Sequence, residues 1–252
     1  MDKQIPKVIH YCWFGGKPLP ELAKKCIESW KKYLPGYKIK RWDETNFDIN
    51  CIPYVKEAYE AGKYAFVSDF ARFKILYENG GIYFDTDVQV IKPLDDIINA
   101  GSFMGREDRP DNESSKTRVN PGIGIGCYTG HPVIKELIDS YADKHFKNPD
   151  GSFNYTTIVT YTREVLLKYG LTKSEGIQKV GDFNIYPWDY FCPMTPTLVL
   201  TLTPNSRSIH LYDASWCSGW VKFRKKVKRI MGHRLIAVLQ PIIQFCRNPH
   251  IK

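Results

Sequence analysis

Gly80-Gly81-Ile82-Tyr83-Phe84-Asp85-Thr86-Asp87-Val88 is the most informative run of the chain. The glycine pair closes a helix over 68–79, residues 81–85 read as a short apolar strand, and that strand runs into two carboxylates one residue apart. A strand delivers the residues after it to the carboxyl edge of its sheet, where open α/β folds bind ligands. Two acids at such an edge repel each other and cost stability unless a cation neutralises them. The D-x-D pair therefore predicts a divalent metal that holds a diphosphate. The competing reading is a solvated turn after a strand, because three letters are a short motif.

On the amino-terminal side, residues 7–13 (K-V-I-H-Y-C-W) read as a strand, and Leu22, Cys26, Ile27, Trp30, Tyr33 and Leu34 recur at helical spacing until Pro35-Gly36. Residues 37–42 are a second strand, which completes a βαβ unit of a parallel sheet. Helix is predicted from about Pro53. On the carboxyl-terminal side, 88–91 continues extended, 106–121 reads as a long exposed loop, 122–128 as a glycine-rich strand, 131–146 and 156–169 as helices, and 208–211 as a last strand. The whole is an α/β domain with a largely parallel sheet.

Composition narrows the function. The 252 residues, 43% apolar and 25% charged, suit one large domain with a sizeable core. The net charge of +9 is not spread over that domain. From Cys217 onward there is no Asp or Glu, while Lys222, Arg224, Lys225, Lys226, Lys228, Arg229, Arg234, Arg247 and Lys252 carry the excess. A body that is neutral on balance does not look like a nucleic-acid enzyme. Seven cysteines without a C-x-x-C pair argue against a disulfide framework or a structural zinc and read as buried thiols of a reducing cytoplasm. The opening residues show no signal peptide, and 235–245, with Gln240, Pro241 and Gln244, is too short to span a bilayer.

The tail divides the chain into a domain over 1–219 and an appendage over 220–252. Phe223, Val227, Ile230, Met231, Leu235, Val238 and Leu239 fall on one helical stripe with the basic residues opposite, until Pro241. Such a helix suits the headgroup layer of an anionic membrane, and its alternative is a helix packed on the domain with a solvated basic face.

Two further residues bear on the acidic edge. Asp69 and Arg72, at i and i+3 in S-D-F-A-R, share one face of the helix that feeds the strand, either as a simple salt bridge or as hydrogen-bonding groups for sugar hydroxyls. His10, alternating with apolar neighbours, reads as a satisfied core histidine, His131 before Pro132 as a capping or turn residue, and the aromatics over 183–191 as packing. The D-x-D letters also fit haloacid-dehalogenase-type phosphatases, with Asp85 as nucleophile. Gln89, where that class has Thr or Val, and the motif's position away from the first strand weigh against it.

I-P-K-V-I-H-Y-C-W-F-G-G, S-D-F-A-R, G-G-I-Y-F-D-T-D, G-H-P, I-Y-P-W-D-Y-F and I-H-L-Y-D-A-S-W occur in an order that resembles glycosyltransferase family 32, the DXD sugar-binding-region proteins that include bacterial capsular polysaccharide synthesis enzymes. The resemblance covers roughly residues 4–217 and extends more distantly to the glucosyltransferase domain of the large clostridial toxins. It implies a GT-A fold, a nucleotide-sugar donor of the UDP type, Mn²⁺ or Mg²⁺, and transfer with retention to a saccharide or lipid-linked acceptor. Position by position it implies that Trp13 stacks on the base, that Asp69 and Arg72 contact sugar hydroxyls, and that Asp85 meets the ribose or the sugar. It further implies that Asp87 and His210 ligate the metal, with Asp85 a further candidate, and that Ser215-Trp216 closes over the β-phosphate. The chain departs from the family pattern in His210-Leu211, where relatives have His-His, and in Ala214 before Ser215-Trp216. The acceptor-side assignments that the resemblance implies include Asn120 and Glu107, while the family's commoner acidic or amide residues near the helix after G-H-P are not obvious here. The expectation is a metal-dependent hexosyltransferase at the inner face of the plasma membrane. The alternative of another class is a non-catalytic membrane-bound scaffold.

Overall fold

The computed structural model describes residues 3–109 and 116–213. In chain order the elements are β1 (Val8–Cys12), α1 (Glu21–Tyr33), β2 (Lys38–Trp42), α2 (Pro53–Glu60), α3 (Tyr64–Asn79), β3 (Gly81–Tyr83), β4 (Val88–Val90), α4 (Asp95–Asn99), β5 (Phe103–Gly105), β6 (Ile125–Cys127), α5 (Pro132–Asp139), α6 (Ile158–Leu167), β7 (Gln178–Val180), β8 (Phe183–Tyr186), α7 (Trp188–Phe191) and β9 (Ser208–His210). A seven-stranded sheet has the order β2-β1-β3-β6-β5-β8-β7, and β4 pairs with β9 in a separate ribbon. Within the large sheet β6 and β7 run against the other strands. This is the mostly parallel, helix-flanked sheet expected of a GT-A domain. Because β1 lies between β2 and β3 and is parallel to both, strand addition changes direction at β1. The carboxyl ends of β1 and β3 therefore border a switch-point crevice, the place where such sheets bind ligands.

The helix α3 is buried along most of its length, through Phe66, Val67, Phe70, Ala71, Phe73, Ile75 and Leu76. It begins at Tyr64, a turn earlier than Ser68, because Phe66 and Val67 already face the core. Its end requires glycine. Gly80 has φ +62°, and a Cβ there would stand 2.8 Å from Pro6; at Gly81, φ +96°, it would stand 2.6 Å from the Val8 carbonyl. His10 ties this turn to the sheet: its Nε2–H donates to the Gly80 carbonyl at 3.0 Å, and its Nδ1 accepts from the Trp42 indole N–H at 3.0 Å. Burial lowers its pKa to about 4, so it stays neutral, as both contacts require. It is the core histidine the alternation implied.

The first helix fixes the exit of the acidic segment. Trp30, fully buried on α1, donates its indole N–H to the Val88 carbonyl at 2.8 Å, and the Ser29 hydroxyl accepts from the Val90 N–H at 3.0 Å. These contacts hold β4 away from the large sheet, where β9 pairs with it antiparallel.

The structure shortens some sequence-based elements. Residues 131–146 form a helix only to Asp139, and the apolar spacing persists beyond it because Tyr141 and Phe146 are core residues on irregular backbone. His131 caps that helix, its Nδ1 accepting from the Val133 N–H at 3.2 Å. The described ends of the 106–121 loop are exposed only in part: Lys116 and Arg118 face solvent, but Arg106 and Asp108, 5% and 6% exposed, form an ion pair at 2.7 Å, and Arg106 bridges to Val119 in antiparallel fashion. Phe183, Tyr186 and Phe191 pack in the interior, as the packing reading of that aromatic run holds. Cys12, Cys26, Cys127 and Cys192 are buried free thiols. The boundary at 219/220 and the amphipathic stripe lie outside the described residues, among which no helix is long and apolar enough to cross a membrane.

Candidate active site

Asp85 and Asp87 come after β3, and Trp13 comes after β1, so the crevice brings together residues that the sequence keeps more than seventy positions apart. The two acids do not share one environment. Asp85 turns toward α3: Arg72 donates from Nη1 to Asp85 Oδ2 at 3.3 Å, and the Tyr83 hydroxyl donates to Asp85 Oδ1 at 3.1 Å. Arg72 also donates to Asp69 Oδ1 at 2.8 Å and, from Nε, to the Ser68 carbonyl at 3.0 Å, while its guanidinium lies 4.7 Å from the Tyr83 ring centre. One guanidinium, 3% exposed, thus serves two carboxylates. Repulsion between the acids, expected from the sequence, is relieved by the protein's own cations.

Asp87 turns the other way. The pairing of Val88 with His210, together with the Leu211 N–H donated to the Asp87 carbonyl at 2.9 Å, sets the imidazole beside the carboxylate, Nε2 to Oδ2 3.4 Å. Burial opposes an imidazolium here, but the Asp87 carboxylate outweighs it and holds the His210 pKa well above its usual range.

A divalent cation fits this pair if it displaces the proton that Asp87 favours on His210, since only the neutral imidazole ligates a metal. A carboxylate oxygen and an imidazole nitrogen, on side chains 18% and 13% exposed, lie side by side, one just before β4 and the other at the end of β9. One carboxylate with one nitrogen ligand, completed by phosphate oxygens and water, is a donor set that Mn²⁺ or Mg²⁺ accepts. Asp85 is engaged with Arg72 and Tyr83 instead. Among the described residues no cluster of three or more His, Cys, Asp or Glu side chains is present, so the protein would supply two ligands from this region.

The electrostatics of the Arg72 group carries a pH signature. Burial pushes the Asp69 carboxyl up to about 7 in spite of Arg72, and Asp85 is raised for the same reason. A carboxyl whose native pKa exceeds its unfolded value of about 4 binds more protons folded than unfolded between those two values, so its effect on stability becomes unfavourable as pH rises through that window. Asp69→Asn should remove this dependence. Thermal melts from pH 4 to pH 7 should show the variant gaining on the wild type as pH rises, and a constant difference would mean that burial does not dominate at Asp69.

Trp13 is half-buried at the end of β1, its backbone N–H donated to the Trp42 carbonyl at 2.8 Å and its indole N–H to the Lys17 carbonyl at 2.7 Å. The turn over 14–17 therefore fixes the orientation of the ring just beyond β1. Asn120 and Glu107 are joined by a 2.7 Å hydrogen bond behind Asp85. Ser215 and Trp216 lie outside the described residues. Two site residues escaped the sequence reading. Tyr83 stands two positions before Asp85 on the same face of the strand, and that period-two spacing is a signal that points to it. Gly122 against Asp85 leaves no such signal in a run of alternating glycines.

The family model described as capsular polysaccharide synthesis protein matches residues 1–191, and the chain belongs to that family. It is 38% identical over 195 residues to an uncharacterized glycosyltransferase of Acanthamoeba polyphaga mimivirus, the match covering 75% of this chain and 73% of that one. It is 28% identical over 168 residues to the initiation-specific alpha-1,6-mannosyltransferase of Candida albicans, covering 56% and 44%, so it spans less than half of that relative's length. Among solved structures it is similar to the PaToxG glycosyltransferase, with a TM-score of 0.49 and 20% identity over 66% of this chain and 70% of that one. The chain is thus an enzyme of a glycosyltransferase family, and neither the scaffold nor the phosphatase alternative has support.

Proposed function

We propose that the protein transfers a hexose from a UDP-type nucleotide sugar to a hydroxyl of a polysaccharide or lipid-linked oligosaccharide, with retention of configuration. The observation that carries this reading is the divided acidic motif: Asp87 meets His210 at a point suited to a cation and a diphosphate, while Asp85 is held beside Arg72 and Asp69 where a sugar would lie. A bound Mn²⁺ or Mg²⁺ would withdraw charge from the departing diphosphate. Arg72 keeps Asp69 and Asp85 oriented, and their free lone pairs accept from sugar hydroxyls. Asp85 is committed to Arg72 and Tyr83, which favours front-face attack over a covalent intermediate on this carboxylate. Transfer and donor hydrolysis, measured over a panel of UDP- and GDP-linked sugars with and without Mn²⁺, test the reading. The panel includes mannose, the sugar in the name of the Candida relative. Turnover that is indifferent to metal would overturn the metal part, and no turnover with any donor would overturn the whole.

The ring of Trp13 supplies the stacking surface for the base. Trp13→Ala should weaken UDP binding by about 1–3 kcal/mol, by analogy with bases stacked on aromatic side chains. Calorimetric titration with UDP checks this, and unchanged affinity would remove Trp13 from the donor pocket.

The basic segment 220–252 anchors the enzyme to an anionic membrane, with the catalytic domain, 1–219, on the cytoplasmic side. Each basic residue near such a surface contributes about 1 kcal/mol. Full-length protein should sediment with anionic vesicles in low salt and be released in high salt, and binding indifferent to lipid charge would refute the anchor.

A further inference from the structure

Behind Asp85 runs a strap of chain, residues 120–124, for which glycosyl transfer as described so far has no use. Asp85 donates its backbone N–H to the Gly122 carbonyl at 2.9 Å. Gly122 lies so close to the acid that a Cβ on it would stand 2.0 Å from Asp85 Oδ2 and 2.8 Å from Arg72 Nη1. The glycine is the wall on which carboxylate and guanidinium rest, and its lack of a side chain is what lets them meet.

Asn120 holds that wall in place. Its Oδ1 accepts the Gly122 N–H at 2.8 Å, its Nδ2 donates to Glu107 Oε2 at 2.7 Å, and its backbone N–H goes to the Gly105 carbonyl at 3.0 Å. The other Glu107 oxygen takes the Arg118 Nε–H at 2.9 Å. A side chain that must accept from an amide on one side and donate to a carboxylate on the other has to be an amide, and its orientation is fixed because a flip would lose both bonds.

We propose that Asn120 is a positioning residue that holds the Gly122 wall, and through it the Asp85 carboxylate, at the donor sugar. The inference rests on the glycosyl-transfer reading and moves Asn120 and Glu107 from the acceptor side to the back of the donor site.

Two independent readouts test it. In Asn120→Ala, hydrogen exchange at the Asp85 amide should quicken on the order of tenfold, the effect of loosening one hydrogen-bonded contact. Donor hydrolysis without acceptor and transfer with acceptor should fall by the same factor, about 100-fold for a misplaced reacting group, with the acceptor KM unchanged. In an Asp85→Asn background, Asn120→Ala should cost almost nothing more, since both changes act on one group. Wild-type exchange at Asp85 would overturn the proposal, and so would normal donor hydrolysis with a raised acceptor KM, which would return Asn120 to the acceptor side. If the wild type hydrolyses no nucleotide sugar, the glycosyl-transfer reading fails by itself, and the exchange experiment still decides the placement of Asp85. Should Asn120→Ala not fold, Asn120→Asp combined with Glu107→Gln keeps the oxygen that Gly122 needs and reverses the sense of the bond to position 107. The double variant should show wild-type exchange at Asp85, whereas Asn120→Asp alone, set against the Glu107 carboxylate, should not, and equal exchange in the two would count against the proposal.

Discussion

Asp87→Asn should abolish turnover while leaving a folded protein. The amide keeps the shape of the side chain but removes a full negative charge from the point that Asp87 and His210 share. A divalent cation loses its only carboxylate there among the described residues. The imidazole, freed of the neighbour that favours its charged form, deprotonates more readily, but a neutral nitrogen does not replace the lost charge. Loss of one well-placed electrostatic group in an active site costs about 100- to 1000-fold in rate, and loss of a metal ligand adds weakened metal binding. The measurement is donor hydrolysis against Mn²⁺ concentration, with circular dichroism to verify the fold. Near wild-type turnover by a folded variant would remove the metal reading, and activity restored by high Mn²⁺ would show that affinity alone was lost.

Arg72→Met should damage both stability and activity. The substitution keeps an unbranched chain on a buried face of α3 but strips the cation from Asp69 and Asp85. Removing one partner of a buried ion pair costs about 3–5 kcal/mol where the other partner stays charged, and less at a pH where Asp69 takes up a proton. In a domain of this size that is a fall in Tm of roughly 10 °C. Adding Asp69→Asn to Arg72→Met should recover part of the loss, which separates charge from packing. Arg72→Lys should rescue poorly, since a single ammonium cannot fork between two carboxylates as a guanidinium does. Donor hydrolysis should fall far more than UDP affinity, as Arg72 stands beside the acids rather than beside Trp13. A thermal melt identical to wild type would show that the two carboxylates are not dependent on Arg72.

The sequence carries local signals better than distant ones, and the site divides along that line. The βαβ start, the buried α3 and the strand ending in acids were readable because apolar period and glycine stops are local properties. The different partners of Asp85 and Asp87 were not, although the family resemblance implied different roles for the two. Which way each turns depends on Arg72 and His210, brought in by α3 and β9, and on the grip of Trp30 and Ser29 on β4. The aromatic residues over 141–146 kept an apolar pattern without being helical, since burial and helical conformation are separate demands. Asn120 and Glu107 entered the sequence reading only as acceptor-side residues, and their hydrogen-bonded place next to Gly122 depends on strand pairing across β5 and β6 that no spacing encodes.

The ribbon of β4 and β9 sets an order of events during synthesis. His210 pairs in it with Val88, next to Asp87, across more than a hundred residues of intervening chain. Domains form as the polypeptide emerges, amino-terminal portions first, and contacts between distant segments are slow because a long loop must close before they form. The residues of the Arg72 group therefore emerge well before the imidazole that Asp87 meets. On the metal site proposed above, any product that stops short of Ser208, whether a stalled translation or a proteolytic fragment, carries the acidic motif but lacks one of the two side chains that would hold a metal–diphosphate.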